Sequence, residues 1–209
     1  MKHGFAKKIP ALLLALIIAF SAFSCAAYAA GEQPKAKGEE KPVARMYFCA
    51  TNTIGVGHSW IYIKNLTSKP ITVGHMTVRA KDGVTISNLG FTHIDGPGTF
   101  YNYEAYRYHD KLPATSYITC DLTAARLENV SSTIKNSNFY ELVTYNCGGL
   151  TTAVWNAGSD RKLIYFPLTF VIMLQMTGAQ KNPEMNNAAK TDVYKQHMNG
   201  TITVAKEFN

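Results

Sequence analysis

The strongest local signal lies in the stretch Gly55-Val56-Gly57-His58-Ser59-Trp60-Ile61-Tyr62-Ile63. Its glycines precede a run of aromatic and β-branched residues, which is the composition of a strand buried in a sheet. A second run of this kind, Ile71-Thr72-Val73-Gly74-His75-Met76-Thr77-Val78, follows a polar turn. Together the two runs predict an antiparallel hairpin that places His58 and His75 on adjacent strands.

Further short strands and a few helices are predicted on the C-terminal and N-terminal sides of these runs. The expected strands are Met46–Thr51, Val84–Ser87, one near Phe100, Ser116–Cys120 and Thr201–Val204. Thr123 can cap a helix whose buried face carries Leu127, Val130 and Ile134. Two more helices are expected, over Cys147–Asn156 with Gly158 as a left-handed stop, and over Thr169–Thr177. The sum is an α+β domain in which an antiparallel sheet packs against helices.

Composition restricts the class of protein. The chain has 209 residues, of which 46% are hydrophobic and 17% charged, so global disorder and collagen-like repeats are excluded. Three of its 21 basic residues lie in the first eight positions. Removing them leaves 18 basic against 14 acidic residues, a net charge of +4 without clusters, which argues against a nucleic-acid partner.

The N-terminus has the layout of an export signal. A basic start, an apolar stretch from Ile9 to Phe23 and the small residues Ala27-Tyr28-Ala29 predict a signal peptide over residues 1–30 and a secreted or cell-surface protein. The composition predicts a flexible leader over residues 31–44, the main domain over 45–178 and a C-terminal extension over 179–209. The alternative is a lipoprotein anchored to the membrane through Cys25.

Cleavage leaves three cysteines, Cys49, Cys120 and Cys147, and an odd number leaves one thiol unpaired in an oxidising compartment. Cys147 lies in Asn146-Cys147-Gly148-Gly149 at the predicted start of a helix. Unpaired amides and the positive end of the helix dipole favour its thiolate. Amides near Gly148 could form an oxyanion hole. The alternative interpretation is a buried structural thiol.

The histidines supply a candidate base. His58 could take the proton of the Cys147 thiol while His75 holds the other ring nitrogen in the required tautomer, which makes a triad by roles. Each histidine could instead be an ordinary polar residue of a strand. A zinc site formed by His58, His75 and Cys147 is a further alternative.

These residues resemble a known family. Gly57-His58-Ser59-Trp60-Ile61-Tyr62-Ile63, then His75, then Asn146-Cys147 at a helix start is similar to the circularly permuted branch of NlpC-type papain-like cysteine peptidases, which includes lecithin:retinol acyltransferase. The motif Tyr101-Asn102-Tyr103-Glu104 is also similar to a group of exported bacterial proteins.

The resemblance implies a permuted papain-like fold that uses neither metal nor organic cofactor. It implies Cys147 as nucleophile, His58 as base and His75 as orienting residue, with Asn52, Asn88 and His93 as alternatives for the third role. The expected reaction is hydrolysis of an amide or peptide bond through an acyl-enzyme, for example in peptidoglycan stem peptides. The alternatives are an acyltransferase or lipid thiol hydrolase, which would carry out thioester or lipid acyl transfer, and a non-catalytic secreted or surface binding module that retains the fold.

Two further predictions concern the surroundings of this site. Aromatic residues between Phe100 and Tyr108 could line a substrate groove, with Tyr103, Glu104 and Asn146 as candidate binding residues. They could equally be strand packing. Cys49 and Cys120 lie on predicted strands and could form a disulfide, although two buried thiols would fit as well.

Overall fold

The computed structural model describes residues 40–51, 58–90, 97–107, 116–141, 145–164, 180–181 and 192–208. The predictions of a signal peptide, of lipidation at Cys25, of most of the leader and of the helix Thr169–Thr177 lie outside these residues. So do the candidates Asn52 and His93. All described residues belong to one compact unit.

The architecture is α+β, as predicted, with a large antiparallel sheet and few helices. The described strands are β1 (Ala44–Thr51), β2 (His58–Asn65), β3 (Ile71–Val73), β4 (Met76–Val78), β5 (Gly83–Leu89), β6 (Gly98–Tyr101), β7 (Ser116–Leu122), β8 (Gln180–Lys181), β9 (Tyr194–Gln196) and β10 (Ile202–Val204). The described helices are α1 (Tyr103–Arg107), α2 (Ala124–Lys135) and α3 (Cys147–Gly158).

Eight of these strands form one sheet in the order β10-β9-β6-β5-β2-β1-β7-β8. One face carries Met46 and Phe48, and the Phe48 ring packs edge-on against Trp155 of α3 at 6.0 Å between ring centroids. The other face carries an aromatic cluster that includes Tyr47, Trp60 and Tyr62. Since side chains alternate along a strand, α3 lies against the first of these faces, whereas Glu104 of α1 meets His58 on the side of Trp60.

Helix α2 begins as the sequence predicts. The Thr123 hydroxyl accepts a hydrogen bond from the amide of Arg126 at 3.4 Å, which satisfies one of the unpaired amides of the first turn. The predicted face of Leu127, Val130 and Ile134 is buried. Cap and periodicity therefore agree on where this helix starts and which side packs inward.

Gly158 does not act as the predicted left-handed stop. It is the last residue of α3, and Ser159 leaves the helix in an extended conformation. A Cβ atom at Gly158 would lie 2.6 Å from Val130 Cγ2 and 2.9 Å from Met46 Cε. The glycine is required because α3 passes close to both α2 and the sheet at this point.

The predicted hairpin between the strands of His58 and His75 is wrong. β2 pairs with β1 and β5, whereas β3 and β4 form a separate two-stranded sheet. After β2, the Asn65 side chain holds the loop, since its Nδ2 donates to the carbonyls of Lys69 and Arg79 on either side of β3 and β4. Gly74, with φ of 57°, then reverses the chain within the predicted second strand.

The segment predicted as a C-terminal extension is part of the main sheet. β9 pairs with β6, which lies in the middle of the domain sequence, and β10 pairs with β9. β10 confirms the strand predicted at Thr201–Val204. The strand near Phe100 is confirmed as β6, but the short helix α1 that follows it was not predicted.

Candidate active site

Cys147 is the first residue of α3, as its sequence context predicts. The residue before it, Asn146, caps the helix: its Oδ1 accepts hydrogen bonds from the amides of Gly148 at 3.0 Å and Gly149 at 3.3 Å. The thiol therefore lies at the positive end of the helix dipole.

His58 is the first residue of β2 and pairs with Thr51 of β1. Its ring stacks on that of Trp60 at 5.6 Å with 25° between the planes. Only 15% of its side chain is exposed. The ring is hydrogen-bonded to the Cys147 thiol, so the structure brings the two residues of the predicted catalytic pair together across the junction of sheet and helix.

Glu104 of α1 completes this arrangement. Its Oε1 lies 2.8 Å from Nε2 of His58, and its side chain is fully buried. Because Nε2 is held by Glu104, Nδ1 is the ring nitrogen left to face the sulfur of Cys147. The order Cys147, His58, Glu104 is the arrangement that a nucleophile, a base and an orienting group would require.

The electrostatics of the site favour an imidazolium–thiolate pair. Burial by itself disfavours the charged His58 ring, but the negative charge of Glu104 and the hydrogen bond to Cys147 outweigh it and raise the pKa of His58 to about 10. Burial likewise disfavours the thiolate. The hydrogen bond and charge of His58 overcome this and lower the pKa of Cys147, helped by the backbone amides of Ser59 and Gly148.

Two hydroxyl groups tie the start of α3 to the strand that carries His58. The Thr151 hydroxyl donates to the carbonyl oxygen of Cys147 at 2.5 Å. The Ser59 hydroxyl donates in turn to the Thr151 hydroxyl at 3.3 Å. Since Ser59 is the neighbour of His58, these two hydrogen bonds fix the position of Cys147 relative to His58.

The third residue predicted from the sequence was His75, and this prediction is wrong. His75 lies in the exposed turn between β3 and β4, where its backbone amide donates to the Tyr101 hydroxyl at 3.4 Å. Partial burial and the charge of Lys135 lower the pKa of its ring. Glu104 occupies the position for which His75 was expected. The zinc alternative also required His75, and the described residues contain no group of three or more His, Cys, Asp or Glu that could hold a metal ion.

Asn88, an alternative for the third role, does a different task. Its Nδ2 donates to the carbonyls of Phe139 and Tyr145, each at 3.0 Å. These residues flank the connection that precedes Asn146, and their rings stack at 4.1 Å between centroids. Asn88 therefore holds Phe139 and Tyr145 together just before α3 begins.

The predicted substrate residues Tyr103 and Gly148 have structural partners. The Tyr103 ring packs against Phe100 and Phe208 in an aromatic cluster. The Gly148 amide, the expected oxyanion donor, donates to Asn146. Within the described part of the chain, the amide of Cys147 itself is the first-turn donor left for an oxyanion, because the first amides of a helix have no partner inside it.

The predicted disulfide between Cys49 and Cys120 is wrong, since both thiols are free. Cys49 pairs with Tyr117, whereas Cys120 pairs with Met46, three positions away along β1. Side chains three positions apart on a strand point to opposite faces of the sheet. Burial raises the pKa of both thiols, that of Cys120 to about 12, whereas the pKa of Cys147 is lowered.

Local sequence patterns do not indicate that Glu104 contacts His58, and they suggested a candidate substrate residue instead. The helix that carries it has five residues, which is too short for a periodic pattern to be detected. Glu104 also lies 46 positions from His58 in the chain. The signal that was available is a carboxylate within an aromatic run, where burial without a charged partner is costly.

No protein-family model, curated protein or solved structure matches this chain. Among the described residues, no helix combines the length and the apolar character required to cross a bilayer. The assignment of a function therefore depends on the site itself.

Proposed function

We propose that this protein is a cysteine hydrolase that cleaves an amide or peptide bond through an acyl-enzyme at Cys147. The observation that carries the proposal is the continuous chain from Cys147 through His58 to Glu104. In it a thiol with a lowered pKa contacts a histidine whose other nitrogen is held by a buried carboxylate. A structural cysteine requires neither partner, because a buried thiol packs as a small apolar group.

In the first half of the reaction, the Cys147 thiolate attacks the acyl carbon and a carbon–sulfur bond forms. The negative charge that develops on the carbonyl oxygen is stabilised by the Cys147 amide at the start of α3. The imidazolium of His58 gives its proton to the leaving amine as the carbon–nitrogen bond breaks. Glu104 keeps Nε2 engaged, so the ring presents Nδ1 to both sulfur and leaving group.

In the second half, water replaces the amine. Neutral His58 accepts a proton from the water molecule, whose oxygen attacks the thioester carbon. The carbon–sulfur bond breaks, which releases a carboxylic acid and returns thiolate and imidazolium. No redox partner or metal takes part in this sequence of steps.

The substrate class and the compartment belong to the same proposal and rest on the sequence. The export signal predicts a secreted or cell-surface protein, and the order of His58 before Cys147 resembles the permuted NlpC-type peptidases. The eight-stranded antiparallel sheet with α3 against one face is compatible with a permuted papain-like fold. We propose stem peptides of the bacterial cell wall as the substrate.

The test compares the full-length chain with variants in two assays. In the first, iodoacetamide should alkylate Cys147 faster than Cys49 or Cys120, as measured by peptide mass spectrometry. In the second, purified sacculi should release peptide fragments. C147A should abolish both signals and H58A should reduce turnover by about 10²–10⁴-fold. C120S is the matched control, since it removes a thiol outside the site. Equal labelling of all three thiols would contradict the proposal.

A further inference from the structure

Glu104 lies on a helix that cannot hold its own position. α1 has five residues, and isolated helices shorter than about 12 residues are marginal in water because nucleation costs more than one turn returns. The placement of the Glu104 carboxylate beside His58 must therefore come from the packing of α1 against its surroundings.

The C-terminal segment supplies that packing. β9 pairs with β6, the strand that leads into α1, with Tyr101 opposite Tyr194. Asn102, the residue between β6 and α1, donates from Nδ2 to the carbonyl of Asp192 at 3.2 Å. The chain then returns through β10 and ends in a single 3₁₀ turn, Lys206–Phe208, which lies against α1.

Phe208 makes the direct contact with α1. Its ring centroid lies 5.1 Å from that of Tyr103 and 5.6 Å from that of Tyr106, the two tyrosines that share one side of this helix. It also meets Phe100 of β6 edge-on at 6.4 Å. Glu104 lies between the two tyrosines in sequence but contacts His58 instead. Phe208 thus packs against α1 through residues that do not belong to the site.

We propose that Phe208 is a positioning residue, which holds α1 so that the Glu104 carboxylate stays within hydrogen-bonding distance of His58. This inference rests on the proposed function, since it assigns Phe208 an effect on the reactivity of Cys147. It makes the 3₁₀ turn Lys206–Phe208 a required part of the site, although Phe208 lies 61 positions after Cys147. No contact of Phe208 with substrate is involved.

The test measures the rate of Cys147 alkylation by iodoacetamide against pH in the full-length chain. F208A should lower the rate at neutral pH by about two- to thirtyfold, and should move the pH dependence upward in the direction that E104Q moves it. F208Y keeps the ring and should restore the wild-type profile. V204A, another apolar C-terminal residue, which is exposed on β10, is the matched control and should leave the profile unchanged.

The double variant E104Q/F208A separates positioning from general stability. If Phe208 acts through Glu104, the double variant should have the same alkylation profile as E104Q. Once the carboxylate is gone, losing the Phe208 ring has nothing left to misplace, so the two effects are not additive. Additive effects, or an F208A profile that equals the wild type while Tm falls, would overturn the inference. If F208A does not fold, F208L takes its place in the same comparison.

Failure of this inference differs from failure of the proposed function. An unchanged profile in F208A together with a shifted one in E104Q removes only the role of Phe208. If Cys147 in the wild-type chain is no more reactive than Cys120, the proposed function itself fails, and the effect assigned to Phe208 fails with it.

Discussion

His58 is the residue on which the site depends, because it alone contacts both other members. Its ring is hydrogen-bonded to Cys147 on one side and to Glu104 on the other. The charge of Glu104 raises the pKa of the ring, and the ring in turn lowers the pKa of the Cys147 thiol. A change at Glu104 is therefore transmitted to a sulfur atom that it does not touch.

The substitution E104Q tests this coupling. Glutamine preserves size but removes the negative charge that raises the pKa of His58, so the imidazolium is lost at a lower pH and the pKa of Cys147 rises toward its ordinary value. We expect the pH dependence of Cys147 alkylation to move upward by about one unit or more. The measurement is the alkylation rate between pH 5 and 10.

The matched control is E128Q, which removes an exposed carboxylate on α2. It should leave the alkylation profile unchanged. A profile that is the same in E104Q and in the wild type would show that Glu104 does not determine the charge of His58.

The raised pKa of His58 also predicts how stability depends on pH. A group whose pKa is higher in the folded chain stabilises it fully below the unfolded value, near 6.5, and loses that contribution as pH rises toward about 10. In a C147S background, which removes the titration of the thiol and leaves Glu104 as the charge that raises the pKa of His58, the destabilisation caused by E104Q should shrink as pH rises above 6.5. Urea unfolding at several pH values measures the difference. A gap that widens with pH would contradict it.

At the level of elements, the start of α3 combines two functions. Asn146 caps the helix, and the residue it places next is Cys147, the proposed nucleophile. The hydrogen bonds from Gly148 and Gly149 to Asn146 keep the first turn in helical geometry, with the Cys147 amide directed out of the helix. Removing the cap should therefore affect reactivity as well as stability.

N146A is the corresponding prediction. Loss of the side-chain acceptor should destabilise the chain by about 1 kcal/mol and slow alkylation of Cys147, because the first turn frays. N146D keeps an acceptor and should retain most of the stability. T123A removes the cap of α2, away from the site, and should lower stability by a similar amount with no change in alkylation. Equal alkylation rates in N146A and T123A would contradict the dual role.

A second prediction at this scale concerns the packing of α3 against α2. In G158A the new methyl group would meet Val130, Leu122 and Met46 at 2.6 to 2.9 Å, which is closer than van der Waals contact permits. We expect a loss of about 1–3 kcal/mol in the free energy of unfolding, measured by urea denaturation. If Gly158 were a left-handed stop without close neighbours, its substitution by asparagine would cost little. The steric explanation is supported if G158N moves the urea unfolding midpoint to a lower concentration by as much as G158A does.

At the scale of the whole molecule, local patterns predicted the elements better than their arrangement. The cap at Thr123 and the apolar spacing after it located α2, and β-rich runs located β1 and β2. Pairing is decided by contacts distant in sequence, such as β6 with β9, and no local pattern specifies them. The same limitation applies to the site. Local motifs point to His58 and Cys147, but no local pattern predicts the helix that brings Glu104 to His58.

The cysteines show what register adds to such predictions. Strand positions for Cys49 and Cys120 suggested a disulfide, but the pairing of β1 with β7 places them on opposite faces of the sheet. A shift of the register by one residue would reverse the face on which a side chain lies. The chemistry available to the three thiols is therefore set by the sheet as a whole.

A count of reactive thiols tests this arrangement. In the folded chain, among the three cysteines that the structure describes, Cys147 should react fastest with iodoacetamide at neutral pH, because burial raises the pKa of Cys49 and Cys120. In urea all three should react at similar rates, since the unfolded chain exposes them equally. Peptide mass spectrometry without reductant measures both states, and C147A supplies the control for assignment. A peptide in which Cys49 is cross-linked to Cys120 would contradict the pairing of β1 with β7, because opposite faces of a sheet cannot bring the two sulfur atoms within bonding distance.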